Sequence, residues 1–268
     1  MGNMDLSFVL LTWNSESYIE NCFDSLLNSL AATEFSFEIF VVDNGSKDCT
    51  VEILNNYLTE HGDVLTLIFL HENVGTTVSR NMALTQVSGD SIVIMDSDVE
   101  VSEGIFEKLI CSINKSSEIG MVVPRIVYPS GKWQKSIDQF PTLLHKLHRF
   151  FRLRDIEKQE GRTEVKCLDE KQVDYAISAF WLFKKEVLER VGLLDEKYFY
   201  APEDVDYCLE VWKGGYQIVY VPSVTIVHHT QEISRWDKMN KAKLEHIKGL
   251  FYFFSKHKYW FKNPVFKS

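Results

Sequence analysis

The sequence has little cysteine, no excess of basic residues and no long apolar run. Its five cysteines are scattered along the chain without a C-x-x-C spacing, which argues against a disulfide framework and against a zinc site. The formal net charge of -9 argues against a nucleic-acid-binding protein, whose contact face would be basic. No apolar stretch approaches the ~20 residues of a membrane-spanning helix, and the first residues lack the basic start of a signal peptide. We therefore expect a cytoplasmic protein without a membrane anchor.

Three phosphate-binding loops are also absent. The first predicted strand is followed by Trp13-Asn14-Ser15-Glu16 rather than by G-x-G-x-x-G, which disfavours a nicotinamide-dependent dehydrogenase. The Gly-Lys-Ser sequence of a P-loop enzyme does not occur. No glycine-rich, basic loop follows the first strand, as the triphosphate site of a sugar-phosphate nucleotidyltransferase would require. That enzyme class is kept as an alternative because it shares the general architecture described next.

Apolar strands alternate with amphipathic helices in the first hundred residues. Strands are predicted at 6–12, 37–43, 65–70 and 91–95, and helices from a capping box at Ser17-x-x-Glu20, at 51–58 and at 76–84. This alternation predicts an α/β fold with a Rossmann-like, mostly parallel sheet covered by helices on both faces. In such a sheet ligands bind at the carboxyl ends of the strands, so the polar residues there are the first candidates for a site.

The rest of the chain is predicted to continue the same domain. The periodicity weakens over 129–172, which we interpret as an insertion over the active face. Regular structure resumes with an apolar segment at 173–183, a helix at 184–191, a helix after Pro202, and a strand pair at 217–221 and 224–228. The tail, 231–268, is predicted to be helical. Because no repeat or linker marks a boundary, 1–268 is interpreted as one domain with a first half at 1–98 and a second at 99–230.

Met95-Asp96-Ser97-Asp98 lies where an apolar strand ends. Two carboxylates one residue apart can hold a hard divalent cation whose remaining positions take phosphate oxygens and water. An isolated Asp-x-Asp match is more often a solvated turn. The position at the ligand-binding edge of the sheet favours the metal site.

Asp43 ends the second predicted strand and precedes a turn that Asn44 and Gly45 favour. Its carboxylate can accept the imino hydrogen of uracil or thymine, which would make a pocket selective for a pyrimidine. The alternative is an Asx-turn or a helix cap that only holds the loop.

Asn73-Val74-Gly75 precedes the third predicted helix, which carries Arg80. The loop glycine and the guanidinium suit a diphosphate or its ribose. The alternative is a surface arginine with Asn73 as a helix cap.

Glu203 and Asp204 lie in the first turn of a helix that follows Pro202. Acidic residues at that position commonly complement the helix dipole and cap free N–H groups. In the functional interpretation, one of them takes the proton from an acceptor hydroxyl as that hydroxyl attacks a sugar. We expect partial burial to raise the pKa of this base.

His228 and His229 follow an apolar strand, where adjacent side chains point to opposite faces. Only one imidazole can therefore face the site, and we favour His228. A neutral imidazole would complete a carboxylate-bound Mn2+ or Mg2+ site, whereas a lone histidine near a strand end is more often structural.

In their order and spacing these segments resemble the inverting family 2 glycosyltransferases of the GT-A fold. The segments that carry the resemblance are Leu11-Thr12-Trp13-Asn14, Val41 to Asp48, Asn73-Val74-Gly75, Arg80-Asn81 with Ala83, Asp96-Ser97-Asp98, Glu203 to Asp206 and His228. Val191 to Phe199 and Tyr220-Val221-Pro222 are similar to the branch that contains rhamnosyltransferases and other bacterial surface-glycan enzymes.

The resemblance implies a role for each matching position. Residues 1–98 would bind a nucleotide diphosphate sugar, with UDP- or dTDP-sugars favoured, and 99–230 would carry catalysis and bind a glycan or lipid-linked acceptor. The implied donor-binding residues are Thr12, Asn14, Asp43, Asn73, Arg80, Asp96 and Ser97. The implied metal ligands are Asp98, Asp96 and His228, the base is Asp204, and Glu203 and Trp181 bind the acceptor. A relative that had lost activity and served as a nucleotide-sugar-binding scaffold is the alternative, and the presence of Asp98, Asp204 and His228 together counts against it.

Two segments combine aromatic and basic residues. Residues 142–154 have the composition of a helix that lies in a membrane interface, and 236–268 contain an aromatic run among lysines. Peripheral contact with the inner face of the plasma membrane would suit a lipid-linked acceptor. Packing on the domain or formation of a homodimer explains the same composition equally well.

Overall fold

A computed structural model describes residues 4–142, 169–230, 241–260, 264 and 266. Within these residues the elements are, in chain order, β1 (Leu6–Thr12), α1 (Ile19–Ala31), β2 (Phe37–Asp43), α2 (Thr50–His61), β3 (Leu65–Phe69), α3 (Thr76–Leu84), β4 (Ser91–Asp96), β5 (Val99–Glu100), α4 (Ile105–Ile113), β6 (Ile119–Val127), β7 (Ile137–Asp138), β8 (Lys171–Gln172), β9 (Tyr175–Ala176), β10 (Phe180–Lys184), α5 (Lys185–Val191), α6 (Glu203–Lys213), β11 (Gln217–His228) and α7 (Lys241–His257).

The main sheet has the strand order β3-β2-β1-β4-β10-β6-β11-β5, and β8 pairs with β11. The pairs β1–β2, β1–β4, β2–β3 and β6–β11 are parallel, whereas β10 runs antiparallel between β4 and β6. The predicted mostly parallel sheet is therefore confirmed. The register pairs Thr12 with Asp43 and Leu11 with Asp96, so the carboxyl ends of β1, β2 and β4 meet at one edge.

Helices cover both faces of the sheet because its strands are apolar on both faces. In β1, Phe8 and Leu10 join one apolar cluster, and Val9 and Leu11 join the other. The alternation follows from the two-residue period of a strand. The first cluster contains buried residues of α1, α2 and α4, and the second contains buried residues of α3, α5, α6 and α7.

Two local predictions are wrong. The capping box at Ser17 does not form: α1 begins at Ile19 after Tyr18, and no side chain caps it. The predicted strand pair at 217–221 and 224–228 is the single strand β11, whose pairing with β6 shifts register between Val221 and Thr225. Pro222 lies in this interval and lacks the N–H that a regular ladder requires.

The aromatic part of the tail packs on the domain. Phe253 and Phe254 of α7 are buried in the second apolar cluster, and Trp260 stacks on Phe254. Phe251 is exposed. Residues 143–154, 236–240, 261–263, 265, 267 and 268, which belong to the two aromatic and basic segments, lie outside the described residues. Among the helices that are described, none combines the length and the apolar composition that crossing a bilayer requires.

Candidate active site

Asp96, Asp98 and His228 form one cluster at the carboxyl edge of the sheet. Asp96 ends β4, Asp98 lies in the turn before β5, and His228 ends β11, which pairs with β5 through Val99. One ligand atom from each residue lies within 4.8 Å of the others, and His228 Nε2 is 3.2 Å from Asp98 Oδ1. The predicted convergence of these three residues is thus present in the structure.

The chemistry of this cluster suits a hard divalent cation. Two carboxylates and one imidazole are donors that Mn2+ accepts, and carboxylates are the ligands that Mg2+ prefers. Burial raises the pKa of Asp96, and the Asp98 charge adds to this, while Arg80 opposes it. Burial lowers the pKa of His228, but its hydrogen bond to Asp98 and the Asp98 charge outweigh burial and leave that pKa raised. Positive charge is therefore favoured at this point, and these residues fit the implied metal.

His229 faces away from the cluster, as the alternation of a strand requires. Its Nε2 lies 2.6 Å from Glu100 Oε1, and its ring contacts the ring of Tyr18. The choice of His228 over His229 therefore agrees with the structure.

Arg80 is buried between two carboxylates. Nη2 donates to Asp96 Oδ1 at 2.6 Å and to the Ser178 carbonyl at 3.2 Å, and Nη1 lies 3.7 Å from Glu203 Oε1. The residue is only 1% exposed, and its Nε and Nη1 have no hydrogen-bond partner among the described residues. Because α3 turns Arg80 inward, it connects the Asp96 cluster to the start of α6, and its contact with a donor stays a prediction.

Glu203 and Asp204 begin α6 directly after the cis peptide bond between Ala201 and Pro202. Glu203 is buried, and its Oε1 accepts a hydrogen bond from Ser178 Oγ at 3.1 Å. Its Oε2 has no hydrogen-bond partner among the described residues. Burial, followed by the Asp204 charge, raises the pKa of Glu203 to about 7. Asp204 is half-buried, and its Oδ1 accepts the N–H of Val205 at 2.8 Å.

Thr12 and Asp43, which are paired in register at the ends of β1 and β2, each carry a buried oxygen. Thr12 Oγ1 and Asp43 Oδ1 have no hydrogen-bond partner within the part of the chain that the structure describes. The other carboxylate oxygen, Asp43 Oδ2, accepts the N–H of Ser46 at 3.0 Å. Asp43 therefore closes its turn with one oxygen and keeps the second for another donor, so the two interpretations made from the sequence are compatible.

Asn14 and Ser97 hold neighbouring loops together. The N–H of Asn14 donates to Ser46 Oγ at 2.8 Å, and Asn14 Oδ1 accepts the N–H of Lys47 at 2.8 Å. Ser97 Oγ lies 2.8 Å from Ser15 Oγ in a buried contact. Both residues lie next to residues of the site, and their contact with a donor stays a prediction.

Asn44, which the sequence placed in the turn after Asp43 but not among the candidate site residues, ties two loops together. Its Nδ2 donates to Asn73 Oδ1 at 3.1 Å, and its Oδ1 accepts the N–H of Val74 at 2.9 Å. Asn73 Oδ1 also accepts the N–H of Gly75, so Asn73 closes the loop that leads into α3. The position of Asn44 directly after the strand-ending Asp43 was the available signal.

Trp181 is fully buried on β10. Its ring stacks on that of Tyr207 with 5.7 Å between centroids, and its Nε1–H donates to the Ala176 carbonyl at 3.2 Å. The ring has no exposed face, so the prediction that Trp181 stacks on an acceptor sugar is wrong.

Tyr200 is an aromatic residue beside the site that the sequence interpretation did not single out. The residue is 40% exposed and lies three positions before Glu203. Partial burial, followed by the negative charges of Glu203 and Asp96, raises the pKa of its hydroxyl to about 12. Tyr200 therefore lies near the Asp96–Asp98–His228 cluster and the start of α6.

Comparisons with known proteins agree with this arrangement. The family model of glycosyl transferase family 2 matches residues 7–192. The chain is 26% identical to the N-acetylglucosaminyl-diphospho-decaprenol L-rhamnosyltransferase of Mycobacterium tuberculosis over 275 residues, which cover 97% of this chain and 87% of the relative.

Two solved structures show the same fold at low sequence identity. GalNAc-T7 with UDP, GalNAc and Mn2+ has a TM-score of 0.68 at 15% identity, and the match covers 95% of this chain and 48% of that chain, about half its length. The mannosyltransferase PcManGT from Pyrobaculum calidifontis in complex with GDP-Man and Mn2+ has a TM-score of 0.63 at 18% identity, over 98% of this chain and 67% of that chain. Because the family match spans more than half of the sequence and the fold agrees with it, the chain belongs to glycosyl transferase family 2 and is a glycosyltransferase of the GT-A fold.

Proposed function

We propose that the protein moves a sugar from a nucleotide diphosphate donor to a hydroxyl of a glycan or lipid-linked acceptor, with inversion and with dependence on Mn2+ or Mg2+. The observation that carries this proposal is the arrangement of two groups at one sheet edge. Asp96, Asp98 and His228 supply ligand atoms within 4.8 Å of one another. Arg80 connects Asp96 to Glu203, the neighbour of Asp204.

The two unpartnered oxygens at the ends of β1 and β2 support a pyrimidine donor. The buried Asp43 Oδ1 can accept the imino hydrogen of uracil or thymine, and Thr12 Oγ1 can bond a neighbouring polar atom of the nucleotide. Each buried polar atom left without a partner costs about 1–3 kcal/mol, so a ligand that satisfies both gains affinity. UDP- and dTDP-sugars are therefore the favoured donors.

The metal would be held by Asp98, Asp96 and His228. When bound, the cation supplies positive charge that stabilises the negative charge on the departing nucleotide diphosphate. The His228 and Asp98 side chains, which would help to hold the cation, are both largely buried.

Asp204 is proposed as the general base. The acceptor oxygen forms its bond to the anomeric carbon as the bond from that carbon to the diphosphate oxygen breaks, the proton passes to Asp204, and the electron pair leaves with the nucleotide diphosphate. A single displacement inverts the anomeric centre. Glu203 Oε2, which has no partner among the described residues, is proposed to orient an acceptor hydroxyl.

The relative from Mycobacterium tuberculosis supports a lipid-linked acceptor. Its name gives N-acetylglucosaminyl-diphospho-decaprenol as the molecule that receives L-rhamnose, and this chain spans 87% of it. We extend the acceptor class, a sugar on a lipid diphosphate, to this protein. A peripheral position at the cytoplasmic membrane surface and homodimer formation remain predictions from composition.

A donor panel tests the proposal. UDP-, dTDP- and GDP-sugars are supplied with Mn2+ or Mg2+ and candidate acceptors, and release of the nucleotide diphosphate and thermal stabilisation are measured together. We expect one pyrimidine donor to stabilise the protein and to be turned over only with metal. Stabilisation without turnover under all conditions would favour the inactive scaffold. Pyrophosphate release from a nucleoside triphosphate and a sugar phosphate would favour the nucleotidyltransferase.

A further inference from the structure

Gln134 lies against the side of the His228 ring that faces away from Asp98. Both residues are 8% exposed, and Gln134 Oε1 is 3.1 Å from His228 Nδ1. The other ring nitrogen, Nε2, is 3.2 Å from Asp98 Oδ1. The imidazole is therefore held between an amide oxygen and a carboxylate.

The backbone places Gln134 there by a tight reversal at the end of β6. A turn joins Tyr128 to Gly131, Val127 forms a bridge to Trp133, and the N–H of Gln134 donates to the Ile126 carbonyl at 2.9 Å. Val127 of β6 pairs with Val227 of β11, and His228 is the residue after Val227. The segment that turns back from β6 through Trp133 and Gln134 therefore lies beside His228. The turn after β6, together with the pairing of β6 and β11, thus places Gln134 against His228.

An amide oxygen can only accept a hydrogen bond, so this contact requires the proton on Nδ1. A neutral imidazole has one ring proton, and Nε2 then carries the lone pair that a metal ion needs. In the opposite tautomer the Nε2 proton would bond to Asp98, and no lone pair would face the cluster. Partners of this kind on the distal ring nitrogen fix the tautomer and the orientation of metal-binding histidines.

We propose that Gln134 is a positioning residue that holds His228 in the Nδ1–H tautomer and thereby sets the affinity of the Asp96–Asp98–His228 cluster for a divalent cation. The inference rests on the proposed function, because it assigns a metal to that cluster. Gln134 would act on the cation only through its contact with His228.

Three variants test this inference. Gln134→Leu keeps the size of the side chain but removes the acceptor oxygen, and Gln134→Glu keeps an acceptor. Gln139→Leu, at an exposed position in the same segment, is the matched control. Near-UV circular dichroism and thermal melting identify any variant that does not fold.

The first readout is the Nδ1–H hydrogen bond of His228 in protein saturated with Mg2+, a diamagnetic ion. In that state Nε2 would hold no proton for Asp98, and nitrogen-15 histidine NMR detects the Nδ1 proton and its exchange with solvent. We expect slow exchange in wild type and in Gln134→Glu, and fast exchange in folded Gln134→Leu. Equal exchange rates in wild type and folded Gln134→Leu would overturn the proposal without any bearing on the glycosyltransferase activity.

The second readout is a titration with Mn2+ alone, with free Mn2+ followed by electron paramagnetic resonance. We expect Gln134→Leu to bind Mn2+ 10–100-fold more weakly than wild type, the effect usual for lost outer contacts of a metal site. Gln134→Glu should bind at least as tightly as wild type, because its carboxylate also accepts the Nδ1 proton and adds a negative charge beside the cluster. Gln139→Leu should bind as wild type does. Unchanged Mn2+ affinity in folded Gln134→Leu would overturn the proposal and leave the proposed function standing. A folded wild type that binds neither Mn2+ nor Mg2+ would overturn both the affinity effect and the proposed metal dependence.

Discussion

Arg80 Nη2 donates to Asp96 Oδ1 at 2.6 Å, although the arginine is 1% exposed. The same guanidinium lies 3.7 Å from Glu203 Oε1. One buried cation therefore connects a proposed metal ligand to the residue beside the proposed base. Arg80 therefore joins the Asp96–Asp98–His228 cluster to the first turn of α6.

Arg80→Met should destabilise the protein and impair transfer. The substitution leaves Asp96 and Glu203 without their common positive partner, and breaking a buried ion pair from one side costs roughly 3 kcal/mol when one partner is partly exposed. Arg80→Lys should also impair transfer, because a single ammonium cannot reproduce the guanidinium contacts. Urea denaturation and transfer assays measure both effects. Lys108→Met at an exposed site is the control, and an Arg80→Met protein as stable as that control would contradict the role assigned to Arg80.

Glu203 should make stability depend on pH. Its pKa is raised from 4.5 to about 7, so its contribution to stability is fully present below about pH 4.5 and is lost as pH rises through 7. Glu203→Gln replaces the buried carboxyl with an amide that cannot ionise. At pH 8 the variant should therefore be more stable than wild type, by about 3 kcal/mol at most. At pH 5 the two proteins should differ little in stability. Denaturation at the two pH values measures this. Exposed Glu107→Gln should show no such divergence, and parallel behaviour of Glu203→Gln and wild type would refute the assignment.

Asp206 should anchor the C-terminal helix. Its carboxylate accepts hydrogen bonds from Tyr198 Oη at 2.9 Å, Lys256 Nζ at 2.8 Å and His257 Nε2 at 2.7 Å. Asp206→Ala removes the acceptor of Tyr198 Oη and His257 Nε2 in a buried place, while Lys256 Nζ keeps its hydrogen bond to Asp195 Oδ2 at 2.9 Å, so we expect the free energy of unfolding to fall by about 3 kcal/mol. Asp63→Ala, which is exposed, is the control. Equal stability of the two variants would show that α7 does not depend on this contact.

Gly75 should tolerate no side chain. A Cβ at Gly75 would lie 2.4 Å from the Phe199 carbonyl oxygen, and the residue has a φ of +93°. Gly75→Ala should therefore displace the loop that Asn44 and Asn73 hold, lower stability and weaken donor binding. Gly104→Ala is the matched control, because Gly104 also has a positive φ, +77°, but no atom within 4 Å of its Cβ. Because of the steric overlap, we expect Gly75→Ala to lower the free energy of unfolding more than Gly104→Ala does. Equal losses of stability would show that the positive φ alone causes the destabilisation.

The sequence predicted the residues that the sheet itself brings together. Asp43, Asp96 and His228 each end an apolar strand, and parallel strands deliver their carboxyl ends to one edge, so periodicity sufficed to group them. The two-residue period required that only one of His228 and His229 face the site, and the structure places His228 there.

Residues whose positions depend on packing between distant elements could not be predicted in this way. An aromatic residue at position 181 is compatible with the hydrophobic core and with an acceptor site that stacks on a sugar. Its contact with Tyr207 of α6, a distant element, places Trp181 in the core. Arg80 turns inward because two carboxylates from β4 and α6 meet it, which no local pattern indicates. Gln134 lies in a weakly periodic segment, and its contact with His228 depends on a turn after β6.

The measurement that tests the central claim most directly is single-turnover transfer by Asp204→Asn, with donor affinity measured by calorimetry in the same preparation. Loss of a general base typically costs 10²–10⁴-fold, so we predict transfer at least ~100-fold slower with donor and metal affinity unchanged. Asp63→Asn, an exposed control, should transfer as wild type does. Transfer at the wild-type rate by Asp204→Asn would contradict the account.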